Sequence, residues 1–224
     1  MVEATTIAAV VFDLDGVLLD SEQHWNEAKA ALVRETGARW RDEAPTVMMG
    51  MSSPEGAAYL RDELGVPLDA DEISRDVVRR MQDGYRHELP LLPGAAEAVR
   101  SLAGRWPLGL ASSSNREIID RVLELAGFAD SFRVILSSEE VARGKPAPDV
   151  YLETARRLGV APACCVAIED SSNGLRAAAA AGMVVIAVPN PHYPPAADAL
   201  ALAAATVRVV GDVTPALLER VAPA

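Results

Sequence analysis

Two aspartates, Asp13 and Asp15, follow the first apolar run of the chain in the sequence FDLDG at residues 12–16. Because side chains alternate along an extended chain, two carboxylates separated by one residue point to the same side. Anions so close together need a compensating cation, and Mg²⁺, which prefers oxygen ligands, is the expected one. The pattern DxDG is also common in surface turns, so this segment alone leaves a catalytic site and a turn equally open.

A second polar segment, GLASSSN at residues 109–115, ends another apolar run and precedes a helical pattern. Serine hydroxyl groups and the N–H groups of a helix N-terminus together form a binding site for anions. Ordinary helix capping by Ser114 or Asn115 explains the same residues without a ligand. The segment therefore offers Ser112, Ser113, Ser114 and Asn115 as candidates for binding a phosphate group.

Two further segments place charged residues at or near predicted strand ends. In RGKP, the glycine and proline on either side of Lys145 fix the backbone and would aim the lysine at a phosphate, although a solvated lysine explains it more simply. In IEDS, Glu169 and Asp170 form another acidic pair, which either supplies metal ligands or begins a helix. Together the four segments would bring a nucleophile, hydroxyl groups, a cation and metal ligands to one site.

The elements that must position these residues alternate between strand and helix. Apolar runs of the kind found in buried parallel strands occupy residues 7–12, 108–111, 134–136, 165–168 and 183–188. Helical patterns occupy residues 95–102, 116–126, 149–158 and 175–181, and the remainder predicts a helix at 197–204, an edge strand at 206–210 and a closing helix from 215. This alternation predicts an α/β fold with a doubly wound parallel sheet.

Residues 21–87 interrupt the alternation with helical patterns at 23–36, 54–64 and 71–87 and no convincing strand. We expect an all-helical cap at residues 20–89, inserted into a core made of residues 1–19 and 90–224. Since α/β sheets bind ligands beyond the carboxyl ends of their strands, this cap would lie above the site as a lid.

The composition restricts the class of partner and the cellular setting. A net charge of −11 without a basic stripe argues against nucleic-acid binding, and any phosphate site must be a local concentration of positive charge. The adjacent Cys164 and Cys165 are badly placed for a mutual disulfide and are interpreted as small core residues in a reducing compartment. The first apolar run ends in two aspartates, and no run reaches the length of a membrane span, so we expect a cytoplasmic protein that binds no membrane.

Four motifs resemble those of the haloacid dehalogenase superfamily, in the same order: FDLDGVLLDSE at 12–22, ASSSN at 111–115, GKPAPDVY at 144–151 and EDSSNG at 169–174. The chain is most similar to the branch with a helical cap between the first two motifs, in the β-phosphoglucomutase and sugar-phosphatase group. The resemblance covers essentially the whole chain. It implies a Rossmann-like core, a cap that sets specificity, and a Mg²⁺-dependent phosphatase acting on a small phosphorylated metabolite. Because capped members open and close the lid, it also implies a monomer.

The resemblance further implies a role for each motif residue. Asp13 would attack phosphorus to form an aspartyl-phosphate, and Asp15 would protonate the leaving alkoxide and later activate water. Ser112 would hydrogen-bond the transferring phosphoryl group, while Lys145 would neutralise its charge and keep Asp13 oriented. The implied Mg²⁺ ligands are Asp13, the backbone carbonyl of Asp15, Asp170 and, directly or through an intervening group, Glu169.

Substrate recognition is expected to come from the cap. Glu22, His24 and Trp25 follow the first motif toward the site, and the loop MMGMS at residues 48–52, which includes Gly50, is expected to face the same cavity. Helix packing explains Trp25 and the methionines equally well. A mixed polar and apolar lining would suit a sugar phosphate or a similar polyol phosphate.

Three other functions compete with hydrolysis. Dehalogenases resemble this fold but lack the second aspartate and need no metal, so Asp15 argues against dehalogenation. In β-phosphoglucomutase an arginine three residues before a cap glycine grips the second phosphate; here Val47 takes that place and Trp25 that of a mutase histidine, unless Arg39 or Arg41 substitutes. Hydrolysis is therefore preferred, a phosphomutase comes second, and a catalytically silent binding protein comes third, because no core residue is missing.

Overall fold

Six parallel strands form the central sheet of the computed structural model, which describes residues 6–49 and 51–222. In chain order the strands are β1 (Ala9–Phe12), β2 (Leu108–Ser112), β3 (Phe132–Ser137), β4 (Cys165–Glu169), β5 (Val184–Ala187) and β6 (Ala205–Thr206). Their spatial order is β3-β2-β1-β4-β5-β6. The chain therefore winds outward from β1 to β3 and then returns to place β4 on the other side of β1. Sheets of this kind bind ligands at that reversal, between β1 and β4.

Ten α-helices accompany the sheet in the described part of the chain. They are α1 (Glu22–Glu35), α2 (Ala44–Met48), α3 (Ser53–Asp62), α4 (Ala70–His87), α5 (Ala95–Ala103), α6 (Arg116–Ala126), α7 (Asp149–Leu158), α8 (Ser172–Ala180), α9 (Ala197–Leu200) and α10 (Pro215–Val221). Helices α1–α4, here called the helical insert, lie between β1 and α5 without an intervening strand. None of the described helices is both long and apolar enough to cross a membrane.

Apolar clusters cover both faces of the sheet, and β1, which lies inside the sheet, is buried and apolar at every position. Along β1, Val10 and Phe12 pack into one apolar cluster, whereas Ala9 and Val11 pack into a second cluster on the opposite face. The first cluster continues into the helical insert, where its members include Leu60. The insert and the sheet therefore share one apolar interior beside the β1–β4 reversal.

The fold class predicted from the sequence is confirmed, and most predicted elements agree with those observed. Helices α6 and α7 have the bounds predicted for them, because each ends at a glycine, Gly127 or Gly159, in the left-handed conformation that terminates helices. The short helix α2 was not predicted, since five residues do not show a helical period.

The carboxyl-terminal elements are shorter than predicted. Helix α9 was expected to continue to residue 204, but the N–H of Ala204 instead bonds the carbonyl of Val185 at 2.8 Å and begins the pairing with β5. Strand β6 was expected to extend to residue 210. It ends at Thr206 because its partner strand β5 ends at Ala187, the residue that pairs with Thr206.

Candidate active site

The carboxyl ends of β1 and β4 bring the two acidic motifs together. Phe12 pairs with Ile168, and the N–H of Asp13 donates to the Ile168 carbonyl at 3.0 Å. Asp13 therefore follows β1 at the level of Glu169, the last residue of β4, and Asp170 comes one residue later. Asp13, Glu169 and Asp170 each offer a carboxylate oxygen within 4.8 Å of the others, and all three residues are buried.

Lys145 is the cation of this cluster and is not solvated. Its side chain is 2% exposed, and Nζ donates to Asp13 Oδ1 at 2.7 Å and to Glu169 Oε1. Burial opposes the charge on Lys145, but the carboxylates of Asp13 and Glu169 outweigh it and raise the pKa of Lys145 above its usual value. The ammonium group therefore stays charged beside Asp13.

Both oxygens of Glu169 are already engaged by the protein. Oε1 accepts from Lys145 and from the Tyr151 hydroxyl at 2.7 Å. Oε2 accepts the N–H groups of Asp170 at 3.0 Å and Ser171 at 3.3 Å. Glu169 is thus positioned to hold Lys145 and the start of the following loop, and it has little capacity left for binding a metal directly.

The excess negative charge of the cluster fits a divalent cation. Burial raises the pKa of Asp13 to about 8, with Lys145 opposing the increase and Glu169 adding to it. Burial, followed by the nearby Glu169 carboxylate, also raises the pKa of Asp170 well above its usual value. When all three carboxylates are ionised, they exceed the one ammonium group by two negative charges, and their oxygens are the donors that hard divalent cations prefer.

Two motif glycines allow the carboxylates to lie against the backbone. A Cβ on Gly16, whose φ is +78°, would lie 2.0 Å from Asp170 Oδ2. A Cβ on Gly174, in α8, would lie 1.8 Å from Glu169 Oε1. The Asp170 and Glu169 side chains therefore occupy the space that any other residue at these two positions would fill.

We expect Gly174→Ala to destabilise the protein by about 1–3 kcal/mol because the added methyl group displaces Glu169. Gly84→Ala in α4 is the matched control, since its Cβ would meet only His24 Cδ2 at an ordinary 3.7 Å. That replacement should stabilise by up to about 1 kcal/mol, as alanine does in helix interiors. Urea unfolding of both variants measures the difference, and equal shifts would contradict the close approach of Glu169 to α8.

Asp15 is held in place from two sides. Its Oδ1 accepts from the Ser21 hydroxyl and from Trp25 Nε1 at 3.0 Å, and its Oδ2 accepts from the Ser114 hydroxyl at 2.6 Å. Ser21 and Trp25 belong to the start of α1, whereas Ser114 follows β2. Trp25 therefore does more than pack the insert, because its indole N–H fixes the orientation of Asp15.

A cavity of about 70 Å³ lies between the strand ends and the helical insert. The carboxylates of Asp13, Asp15 and Asp170 line its floor together with Lys145. The insert contributes polar and charged side chains and an apolar wall, namely Glu22, Trp25, Lys29, Met48, Met51, Ser52, Ser53, Leu60 and Ile73. The lining is thus charged at the strand ends and mixed, polar and apolar, on the insert.

The remaining residues proposed from the ASSSN motif separate into two groups. Ser113 and Ser114 line the cavity. Ser112 is fully buried behind them, and its hydroxyl accepts the N–H of Ser114 at 3.0 Å. Asn115 lies outside the cavity, where it accepts from the Ser53 hydroxyl and donates to Glu139 Oε1 at 2.6 Å, so it links the insert to the loop after β3.

Among the residues proposed from the cap, Glu22 and Trp25 line the cavity and His24 does not. The His24 ring instead contacts Tyr85, with the ring centroids 5.8 Å apart. In the loop at 48–52, Met48, Met51 and Ser52 line the cavity, and Gly50 lies outside the described residues.

Positions 39, 41 and 47, which could hold a mutase-type arginine, do not supply one to the cavity. Val47 is 42% exposed, and Arg41 points to the Glu63 carbonyl, which Nη2 reaches at 2.7 Å. Arg39 is not a lining residue either, and among residues 6–49 and 51–222 no arginine lines the cavity.

Two residues of the site were not identified from the sequence. Tyr151, which orients Glu169, closes the GKPAPDVY motif, so its place in that motif was the available signal. Lys29 lines the cavity from α1, and its signal was compositional, because Lys29 and Lys145 are the only two lysines among the 21 basic residues of the chain.

Several known proteins are similar to this chain in sequence, in fold or in both. Hexitol phosphatase B from Escherichia coli (strain K12) is 38% identical over 190 residues, which are 83% of this chain and 85% of that protein. The crystal structure of CbbY from Rhodobacter sphaeroides in complex with phosphate has a TM-score of 0.82 at 28% identity, covering 96% of this chain and 100% of that chain. A β-phosphoglucomutase from Clostridium difficile, with a TM-score of 0.84 at 22% identity over 96% of this chain and 97% of its own, shares the fold.

A family model also matches this chain, and the match agrees with the four motifs, the parallel sheet and the buried acidic cluster. The family model described as haloacid dehalogenase-like hydrolase matches residues 7–182. The chain belongs to this family of hydrolases.

Proposed function

We propose that the chain is a phosphoric monoester hydrolase that cleaves a small phosphorylated metabolite, with sugar and polyol phosphates as the substrate class. The observation that carries the proposal is the buried Asp13–Lys145 pair beside Asp170 at the β1–β4 reversal. A carboxylate held by an ammonium group in a buried cluster is an oriented nucleophile with a cation ready for the incoming phosphoryl group. The similarity to a hexitol phosphatase supports the substrate class.

Mg²⁺ is the cofactor that fits the cluster, with Asp13, Asp170 and the backbone carbonyl of Asp15 as its proposed ligands. The excess of two negative charges and the all-oxygen donor set support this choice. When bound, Mg²⁺ would neutralise charge on the phosphoryl oxygens and help to orient them. Glu169, whose oxygens are engaged, would act through Lys145.

In the proposed reaction, Asp13 attacks phosphorus in line, and the bond from phosphorus to the alcohol oxygen breaks. Asp15 gives its proton to that leaving oxygen, so the alcohol departs neutral. Asp15 then takes a proton from a water molecule that attacks the aspartyl-phosphate, which releases phosphate and restores Asp13. Lys145 balances charge on the phosphoryl oxygens, and the Ser112 hydroxyl, which accepts from the Ser114 N–H, would donate a hydrogen bond to one of them.

The helical insert is proposed to act as a cap, with the division at residues 20–89 and a core of residues 1–19 and 90–224. The cavity between the insert and the strand ends supports this role. So do the contacts of the insert with core residues, namely Trp25 with Asp15 and Ser53 with Asn115. Closure would exclude water from the attack by Asp13 and place Asp15 against the leaving oxygen.

Phosphate release from a panel of phosphorylated metabolites tests the function. We expect release in Mg²⁺, its loss in EDTA, and its recovery when Mg²⁺ is restored, because the uncompensated carboxylates would otherwise repel the substrate phosphate. Asp170→Asn should show the same loss in the presence of Mg²⁺, and the exposed Asp120→Asn is the control that should not. Equal rates with and without EDTA would refute the metal-dependent reaction.

A further inference from the structure

Lys29 projects from α1 into the cavity at the place where the leaving group of a substrate would lie. Trp25 Nε1 donates to Asp15 at 3.0 Å, and Lys29 Nζ lies 5.4 Å from the centroid of the Trp25 ring. If Asp15 protonates the leaving oxygen, the carbon chain attached to that oxygen must pass Trp25. The ammonium group of Lys29 is therefore within reach of the substrate end that is not phosphorylated.

The use of lysine at this position is itself informative. The chain has 19 arginines and two lysines, and both lysines line the cavity, whereas no arginine does among the described lining residues. Where solvent faces the charge, this sequence uses arginine. An ammonium group is compact and carries three donors that rotate freely, so it suits a small cavity better than a planar guanidinium does.

Lys145 already donates hydrogen bonds to two carboxylates. Lys29 is therefore the ammonium group that can bind the end of the substrate that is not phosphorylated. Lys145 is hydrogen-bonded to Asp13 and Glu169. Lys29 instead interacts over a longer distance with Glu22, and burial raises the pKa of Glu22 to about 7 while Lys29 opposes the increase. Lys29 and Glu22 thus present a donor and an acceptor on the same wall of the cavity.

The charges of the lining disfavour a second anionic group on the substrate. The described lining residues include four carboxylates, from Asp13, Asp15, Glu22 and Asp170, and two ammonium groups. When ionised, these groups carry a net charge of −2, and Glu169, which is hydrogen-bonded to Lys145, brings the site to −3. One divalent cation offsets two of these charges, so no positive charge remains for a carboxylate or a second phosphate beyond the one being cleaved.

Resting on the proposed hydrolase function, we propose that Lys29 and Glu22 bind the hydroxyl groups of an uncharged polyol end of the substrate. Lys29 would donate to one hydroxyl oxygen and Glu22 would accept from another. Lys29 is then the residue that makes the site prefer a polyol phosphate to a phosphate ester without hydroxyl groups, and the pair disfavours sugar acids and bisphosphates.

The test compares Lys29→Met and Lys29→Gln with the unaltered chain on three esters. These are a hexitol 6-phosphate, the aldonate 6-phosphate of the same length, and p-nitrophenyl phosphate, whose leaving group has no aliphatic hydroxyls. We expect each variant to lower kcat/KM for the hexitol ester by about 10- to 100-fold, as loss of a hydrogen bond from a charged donor does. The rate on p-nitrophenyl phosphate should change by less than about threefold. Arg34→Met, on the exposed face of the same helix, is the control and should change neither rate.

Binding measurements separate this inference from the proposed function. In an Asp13→Asn background, calorimetry should show that Lys29→Gln weakens binding of the hexitol ester by about the factor by which it lowers kcat/KM. Binding of inorganic phosphate should not change. Both results can be obtained whether or not the chain turns substrates over. An equal loss for the hexitol ester and for p-nitrophenyl phosphate or inorganic phosphate would overturn the inference. If the Asp13→Asn protein with Lys29 in place bound the aldonate ester more tightly than the hexitol ester, the inference would also be overturned.

Discussion

Asp13→Asn is expected to abolish phosphate release, by a factor of about 10⁴ or more, while the protein stays folded. An amide has the shape of the carboxylate but cannot attack phosphorus, so the covalent step is lost. The substitution also removes one negative charge from a cluster that holds two in excess. The free energy of unfolding of the metal-free chain should therefore stay constant or rise, in contrast to most substitutions at buried polar residues.

The experiment measures turnover and covalent labelling together. With a good substrate, acid quenching followed by mass spectrometry should find a phosphoryl group on the peptide that contains Asp13, and none in the Asp13→Asn protein. Asp120→Asn, on the exposed face of α6, is the control for a charge change without a nucleophile. Retained turnover, or a label on another peptide, would contradict the aspartyl-phosphate reaction at Asp13. Neither result would contradict the description of the fold.

The fold and the floor of the site were largely predictable from the sequence because both follow from local patterns. A strand buried on both faces must be apolar throughout, and a motif directly after such a strand must lie at its carboxyl end. Those two rules place Asp13 and Asp170 at one edge of the sheet before any contact is known. Helices of little more than one turn, such as α2, and strands whose length depends on a partner strand, such as β6, are determined by contacts that a local pattern does not contain.

The walls of the site were less predictable because they depend on contacts between residues distant in sequence. Glu169 is an acid in a metal-binding motif, and only the structure shows that Tyr151 and Lys145 occupy one of its oxygens. The motif makes Asn115 a candidate phosphate ligand, yet Ser53 of the insert and Glu139 hold it outside the cavity. In both cases the partner lies on a different element, so the local sequence could not assign the role.

Lys145→Met is expected to reduce turnover by a factor of about 10³ or more, since a cation that contacts the transferring phosphoryl group contributes that much in comparable reactions. It should also destabilise the metal-free protein by about 3–5 kcal/mol, because Asp13 and Glu169 would lose the charge that offsets their burial. Urea unfolding in EDTA gives the second quantity and phosphate release in Mg²⁺ gives the first. Arg143→Met is the control: its ion pair with Asp149 is exposed, so neither quantity should change measurably.

A second substitution separates the two effects of Lys145. In Lys145→Met with Glu169→Gln, one of the two buried negative charges that lost their partner is removed, so part of the stability should return. Turnover should not return, because no cation would face the phosphoryl group. If the double variant were as unstable as Lys145→Met, the loss would come from packing of the lysine stem and not from charge. If it regained activity, Lys145 would be needed only to neutralise Glu169, and the cation that serves the reaction would have to be found elsewhere in the cavity.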